Sequence, residues 1–111
     1  MKTAMKTIRL LSAMFLAAAL PAMASSGDAE AGKKKSAPCA ACHGANGVSA
    51  SPDFPNLAGQ YPDYILTALM HYQNGKRKNP IMQAQVAKLK TKDMMDLAAY
   101  FSSQKALQVK H

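Results

Sequence analysis

The chain has 111 residues, 49% of them hydrophobic, with a formal net charge of +8 and two cysteines. That length accommodates one domain, and two cysteines three positions apart cannot staple it as a small disulfide scaffold. The basic balance would suit an anionic partner, but no nucleic-acid-binding motif accompanies it, and nucleic acid is not expected as a partner.

Residues 1–24 hold Lys2, Lys6 and Arg9 without an acid, then an apolar run over residues 10–20, then Pro21-Ala22-Met23-Ala24. This is the n-region, h-region and A-x-A cleavage pattern of a secretory signal peptide. The run falls well short of the roughly 20 residues a spanning helix needs. Cleavage after Ala24 is therefore expected, with export to the periplasm and no stable membrane insertion. If retained, residues 5–20 should form a helix with no matched groove on the domain. Residues 25–111 then form a single domain with eleven basic and six acidic residues. Apart from alanine and cysteine, only 21 apolar side chains remain there to build a core. A core of that size needs a staple or a large bound group.

Helical period is the strong local signal along this domain. Asp28 is placed to cap a short helix running to about Ser36, with Glu30 in its first turn and lysines 33–35 near its end, an order that suits the helix dipole. A second helix is predicted over 62–74, with Pro62 at its start and Gly75 just past its end. Ile65, Leu66, Leu69, Met70 and Tyr72 form its stripe. A third is predicted behind Thr91 as N-cap and runs to about Gln104, with Met94, Leu97, Ala98 and Phe101 on one face. No run alternates with strand period, so the predicted class is all-α, with three main helices. The intervening segments 44–61 and 75–91 read as long irregular loops, which tend to be functional. They make sense if both lie against a flat apolar object.

The run Pro38-Cys39-Ala40-Ala41-Cys42-His43-Gly44 carries the chemistry. C-x-x-C-H reads as a c-type haem attachment site. Two thiols about one helical turn apart can each add to a vinyl group on the haem edge, and the histidine one residue on can reach the iron. A thioredoxin-like pair would want a βαβ context that is absent. A structural zinc site needs four ligands, and only His71 and His111 are left to join these three, at unsuitable spacing. A plain disulfide is allowed in an exported protein but leaves His43 and the thin core unexplained.

Several further runs join this motif: Gly27-Asp28-Ala29-Glu30-Ala31-Gly32 ahead of it, Pro52-Asp53-Phe54-Pro55-Asn56-Leu57-Ala58-Gly59-Gln60 after it, then Ile81-Met82 and Asp96-Leu97-Ala98-Ala99-Tyr100-Phe101. With them, residues 27–105 resemble a class I cytochrome c, and in particular one half of the tandem dihaem cytochromes of the c-four type. The departure is that one haem motif is present, not two. The resemblance implies the small class I fold, with long loops wrapping one haem c. It implies thioethers at Cys39 and Cys42, His43 as proximal ligand and Met82 as sixth ligand. It also implies that a proline carbonyl after the motif accepts the second ring N–H of His43, with Pro52 at that position and Pro55 the alternate. Gly32 would let the first helix approach the last.

The residues themselves agree on Met82. Met94 and Met95 belong to the third helix, and Met70 lies on an apolar helix face, where methionine is more often a gap-filler. His71 is the rival, and would give a bis-histidine iron. His111, at the terminus, is expected to face solvent. Tyr61, Tyr64 and Arg77 are candidates for the haem propionates, and nothing in the sequence selects among them.

An iron with both axial positions filled has no site for substrate, which leaves one-electron transfer between larger redox proteins. The expected partners present acidic docking patches to a monomer of net charge +5. Two other readings stay open: a cytochrome subunit of a respiratory dehydrogenase or oxidase, and a haem enzyme or gas sensor if the sixth position is free.

Overall fold

Asp28 begins the first helix as its N-cap: its Oδ1 accepts from the N–H of Glu30 at 2.9 Å and of Ala31 at 3.4 Å. In the computed structural model, which describes residues 27–105, five helices follow one another: α1 (Ala29–Lys35), α2 (Ala37–His43), α3 (Pro62–Asn74), α4 (Pro80–Val86) and α5 (Thr91–Ser103). No strand occurs among the described residues, and the fold is all-α. The expectations for the export segment and for His111 lie outside those residues.

Two further helices, α2 and α4, join the three that had been expected. The haem-motif segment is itself helical, separated from α1 only by Ser36, whose hydroxyl donates to the Lys33 carbonyl at 2.7 Å. The segment 75–91 is not a plain loop. Asn79 Oδ1 accepts from Ile81 N at 3.0 Å and Met82 N at 3.1 Å, and Pro80 occupies the first turn, so α4 starts there. A proline at that place gives up an N–H that the helix leaves unpaired anyway. The start of α5 also shifts by one residue. Lys90 is the N-cap, because Asp93 reaches back to accept the Lys90 N–H at 2.9 Å, and Thr91 is already helical.

α1 crosses α5 at Gly32. A Cβ at that position would overlap the Asp96 carbonyl and press on the Tyr100 side chain, so only glycine permits the approach. Beside the crossing, α5 buries a carboxylate: Asp96 is 1% exposed. Its two oxygens accept from Lys35 Nζ at 2.6 Å, Lys92 Nζ at 2.5 Å and the Asp28 N–H at 2.7 Å. Buried charge is tolerated only when paired in this way. The Lys35 ammonium first, then Lys92 and the Asp28 amide, hold the Asp96 carboxyl well below the usual carboxylate range. Lys35 also pairs with Asp93 at 2.9 Å.

The apolar core is small. Ile65 of α3 meets Leu97, Ala98, Tyr100 and Phe101 of α5, with Cys39, Leu57, Leu66, Leu69 and Leu89 partly buried around them. Met94 and Val86 are each 1% exposed.

Replacing Asp96 with alanine should destabilise the haem-loaded protein by about 1–3 kcal/mol, because the Asp28 N–H and two ammonium groups lose their shared acceptor. A carboxyl with a depressed folded pKa stabilises fully above its unfolded value of about 3.9 and loses that contribution as the pH falls through the folded one. Denaturant titrations should therefore show a native–variant gap that is constant above about pH 5 and shrinks below about pH 4. A gap independent of pH down to pH 2 would contradict the pairing.

Candidate functional site

α2 presents Cys39, Cys42 and His43 along the wall of one cavity. Both cysteines are free thiols and half-buried. Burial pushes the Cys39 thiol up, the opposite of the activated thiolate that a thioredoxin-like pair relies on. Among the described residues no three His, Cys, Asp or Glu side chains converge as a metal site, so the zinc reading finds no ligand set there.

His43 is buried at 6% exposure, and its Nδ1 lies 2.8 Å from the Pro55 carbonyl oxygen. A carbonyl only accepts, so Nδ1 carries a proton, and Nε2 is the ring nitrogen left to meet a metal. The Phe54 ring meets the imidazole edge-on, with centroids 6.5 Å apart. The acceptor is thus Pro55 and not the expected Pro52, which is exposed in the turn closed by Phe54 N–H on Ser51 O at 3.3 Å. The reason is the register of the loop. The Gly47 carbonyl accepts from both Leu57 N at 2.7 Å and Ala58 N at 3.0 Å, which draws the Pro55–Asn56 backbone in against α2.

That loop is tied down at several points. Gly44 ends α2 at φ 84°, ψ 154°, a region open almost only to glycine. Tyr100 donates its hydroxyl to Ala45 O at 2.6 Å, and Gly59 N–H donates to Phe101 O at 3.1 Å. The imidazole is held by a backbone that α5 itself anchors.

The cavity measures about 410 Å³, within the roughly 300–1,000 Å³ of ligand-sized clefts. Leu57, Ile65, Ala68, Leu69, Leu97 and Phe101 make its apolar walls, and Met82 of α4 lines it together with His43. Among the described methionines Met82 alone does so: Met94 is sealed in the core and Met70 is 43% exposed. His71 does not line it either. α4 is fastened to α3 by Gln73, whose side-chain amide donates to Val86 O at 3.0 Å and Leu89 O at 2.7 Å. Sequence reading missed Gln73 and Asn79. The Asn79-Pro80 pair was the available signal for α4, whereas nothing local marks Gln73. Of the three propionate candidates, Tyr64 and Arg77 line the cavity, while Tyr61 is 79% exposed and does not.

Two unpaired cysteines on one helix, an imidazole whose Nδ1 faces a carbonyl, a thioether and apolar walls fit a flat, covalently held macrocycle. The chemistry of this donor set matches haem c.

The cytochrome c family profile matches residues 29–105. Cytochrome c4 of Pseudomonas aeruginosa is 44% identical over 98 residues, covering 87% of this chain and 49% of that protein. Cytochrome c-554(548) of Halomonas halodenitrificans is 41% identical over 81 residues, covering 70% of this chain and 98% of that one. The crystal structure of reduced recombinant cytochrome c4 from Pseudomonas stutzeri superposes with a TM-score of 0.69 at 45% identity, over 72% of this chain and 47% of that one. The chain spans about half the length of the cytochrome c4 relatives it matches.

Two glycines allow the loop geometry to be tested. Gly44→Ala should cost about 1–3 kcal/mol for the forbidden backbone region alone, and more because its Cβ would overlap the Val48 carbonyl. Gly75→Ala, at φ 82° but with no atom within 4 Å of the new Cβ, should cost only about 1–2 kcal/mol. Thermal unfolding of the two variants should rank them in that order, and the opposite ranking would contradict the loop as described.

Proposed function

The chain belongs to the cytochrome c family of electron-transfer haem proteins, and from that premise we propose that it carries one haem c and passes single electrons between larger redox proteins. The observation that carries this reading is that Cys39, Cys42, His43 and Met82, from α2 and α4, face one apolar-walled cavity. Cys39 and Cys42 would hold the haem by two thioethers, and His43 and Met82 would hold its iron. Bound there, haem c supplies a one-electron centre that cycles between ferrous and ferric iron.

The chain's own residues set how that centre behaves. The Pro55 carbonyl fixes the His43 tautomer and makes Nε2 a stronger donor. Met82 as a ligand together with His43 would raise the potential relative to two histidines. With His43 and Met82 both holding the iron, no position would be left for a substrate, and the reading is a carrier rather than an enzyme. Leu97, Phe101 and Leu69 keep water from the inner wall, while Tyr64 and Ile81, 53% and 59% exposed, mark the rim where a partner can approach.

The carrier works as a monomer in the periplasm after cleavage of residues 1–24, leaving a domain of residues 25–111. No helix of the described residues is long and apolar enough to cross a membrane. The excess of basic residues favours partners with acidic docking patches and speeds encounter at low salt.

Replacing both Cys39 and Cys42 with serine should abolish covalent haem; haem staining of a denaturing gel checks this, and undiminished stain would refute the attachment. Met82→Ala should open the iron to carbon monoxide or cyanide and lower the reduction potential. His71→Ala should do neither. The reverse pattern in ligand-binding spectra would transfer the sixth position to His71.

A further inference from the structure

Gln73 lies near the end of α3, exposed and absent from the cavity lining. Its side-chain amide nevertheless reaches across to the segment that carries Met82. Nε2 donates to Val86 O at 3.0 Å, at the last residue of α4, and to Leu89 O at 2.7 Å, just before α5. Val86 O also accepts from the Leu89 N–H at 3.1 Å. The last carbonyls of a helix have no partner within it, so one amide closes both the end of α4 and the turn that follows.

Among the described residues, no other hydrogen bond joins residues 78–89 to any residue outside them. Asn79 caps α4 from within the segment, and α3 is the one helix against which α4 packs substantially. Val86 is buried and Leu89 packs on the core, at the same end that Gln73 holds. Ile81, Ala84, Gln85, Ala87 and Lys88 are exposed. A segment with few buried apolar contacts and exposed hydrogen bonds is where local opening costs least.

We propose that Gln73 is a positioning residue for the sixth iron ligand: its two bonds hold α4 closed over the cavity, and without them residues 78–89 open as a unit and carry Met82 away. This rests on the reading of Met82 as that ligand. Met82 belongs to α4 and lines the cavity, so its sulfur moves with α4. His43 belongs to α2 and is held by the Pro55 carbonyl, outside the segment. Opening therefore frees one axial side and leaves His43 and both cysteines in place. Only a donor serves at position 73, because both partners are carbonyl oxygens. Gln73 thereby sets how often an outside molecule reaches the iron, a property separate from global stability.

The test compares the native haem-loaded, full-length protein with Gln73→Leu, Gln73→Lys and Gln104→Leu. Gln73→Leu removes the donor without adding charge, whereas Gln73→Lys keeps a donor at the tip of a longer side chain. Gln104→Leu removes a bond of the same kind, from Gln104 Nε2 to Tyr100 O at 3.2 Å, at the end of α5. Binding to the ferric iron at saturating cyanide reads the rate at which Met82 lets go, and amide hydrogen exchange reads the opening of the backbone. Gln73→Leu should bind cyanide about fivefold or more faster than native, the factor one such bond supplies. Its α4 amides should exchange faster while those of residues 97–101 do not. Gln73→Lys should return both readings towards native, and Gln104→Leu should leave both unchanged. Native rates in Gln73→Leu, or exchange rising together in α4 and α5, would overturn the role of Gln73 while leaving Met82 as ligand. A native protein whose cyanide rate rises without limit and whose ferric spectrum lacks the far-red band would overturn the ligand and the proposal together. Should Gln73→Leu accumulate too little haem-loaded protein, Gln73→Glu, which also lacks the donor, decides by the same two readings.

Discussion

The hydrogen bond from His43 Nδ1 to the Pro55 carbonyl joins the two halves of the site. On one side is α2, a helix of seven residues that could not persist alone in water. On the other is a long loop that packs on α5 through the Tyr100 hydroxyl and the Phe101 carbonyl. The bond orients the imidazole, fixes its tautomer and determines which face of the cavity presents a nitrogen lone pair. The remaining architecture supports this bond. Gly44 turns the chain out of α2, the Gly47 carbonyl sets the loop register, and Gly32 lets α1 close down on the same α5 that anchors the loop.

A second constraint is the thinness of the core. Leu97, Phe101 and Ile65 belong both to the buried cluster and to the cavity wall. Apolar surface that in a larger domain would meet other side chains here faces the space for the cofactor, so cofactor binding and folding draw on the same residues. The charged cluster at Asp96 fastens α1 to α5 on the other side of that wall. Stability and cofactor geometry are therefore coupled through one helix.

Much of this was legible in the sequence where the cause is local. Asp28 caps α1 as expected, α3 spans the expected Pro62–Asn74, and the α5 stripe of Met94, Leu97, Ala98 and Phe101 is buried throughout. Met82 lines the cavity, whereas Met70, Met94 and Met95 do not. What was not legible depends on distant partners. Pro55 rather than Pro52 faces His43 because Gly47 pairs with residues ten and eleven positions on. α4 is only seven residues long, too short to show a helical period, and its start is marked by the Asn79 cap and Pro80 rather than by hydrophobicity. Asp96 looks like an ordinary surface acid until Lys35, sixty-one positions away, is brought against it.

In the proposed function, His43 nitrogen and Met82 sulfur would together hold a single one-electron centre. A spectroelectrochemical titration of the full-length protein tests it most directly. One Nernstian wave is expected, with a tenfold ratio change per 59 mV, and an oxidised spectrum containing a far-red sulfur-to-iron charge-transfer band that disappears along the same wave. Two separated waves, or an oxidised low-spin spectrum lacking that band, would contradict it.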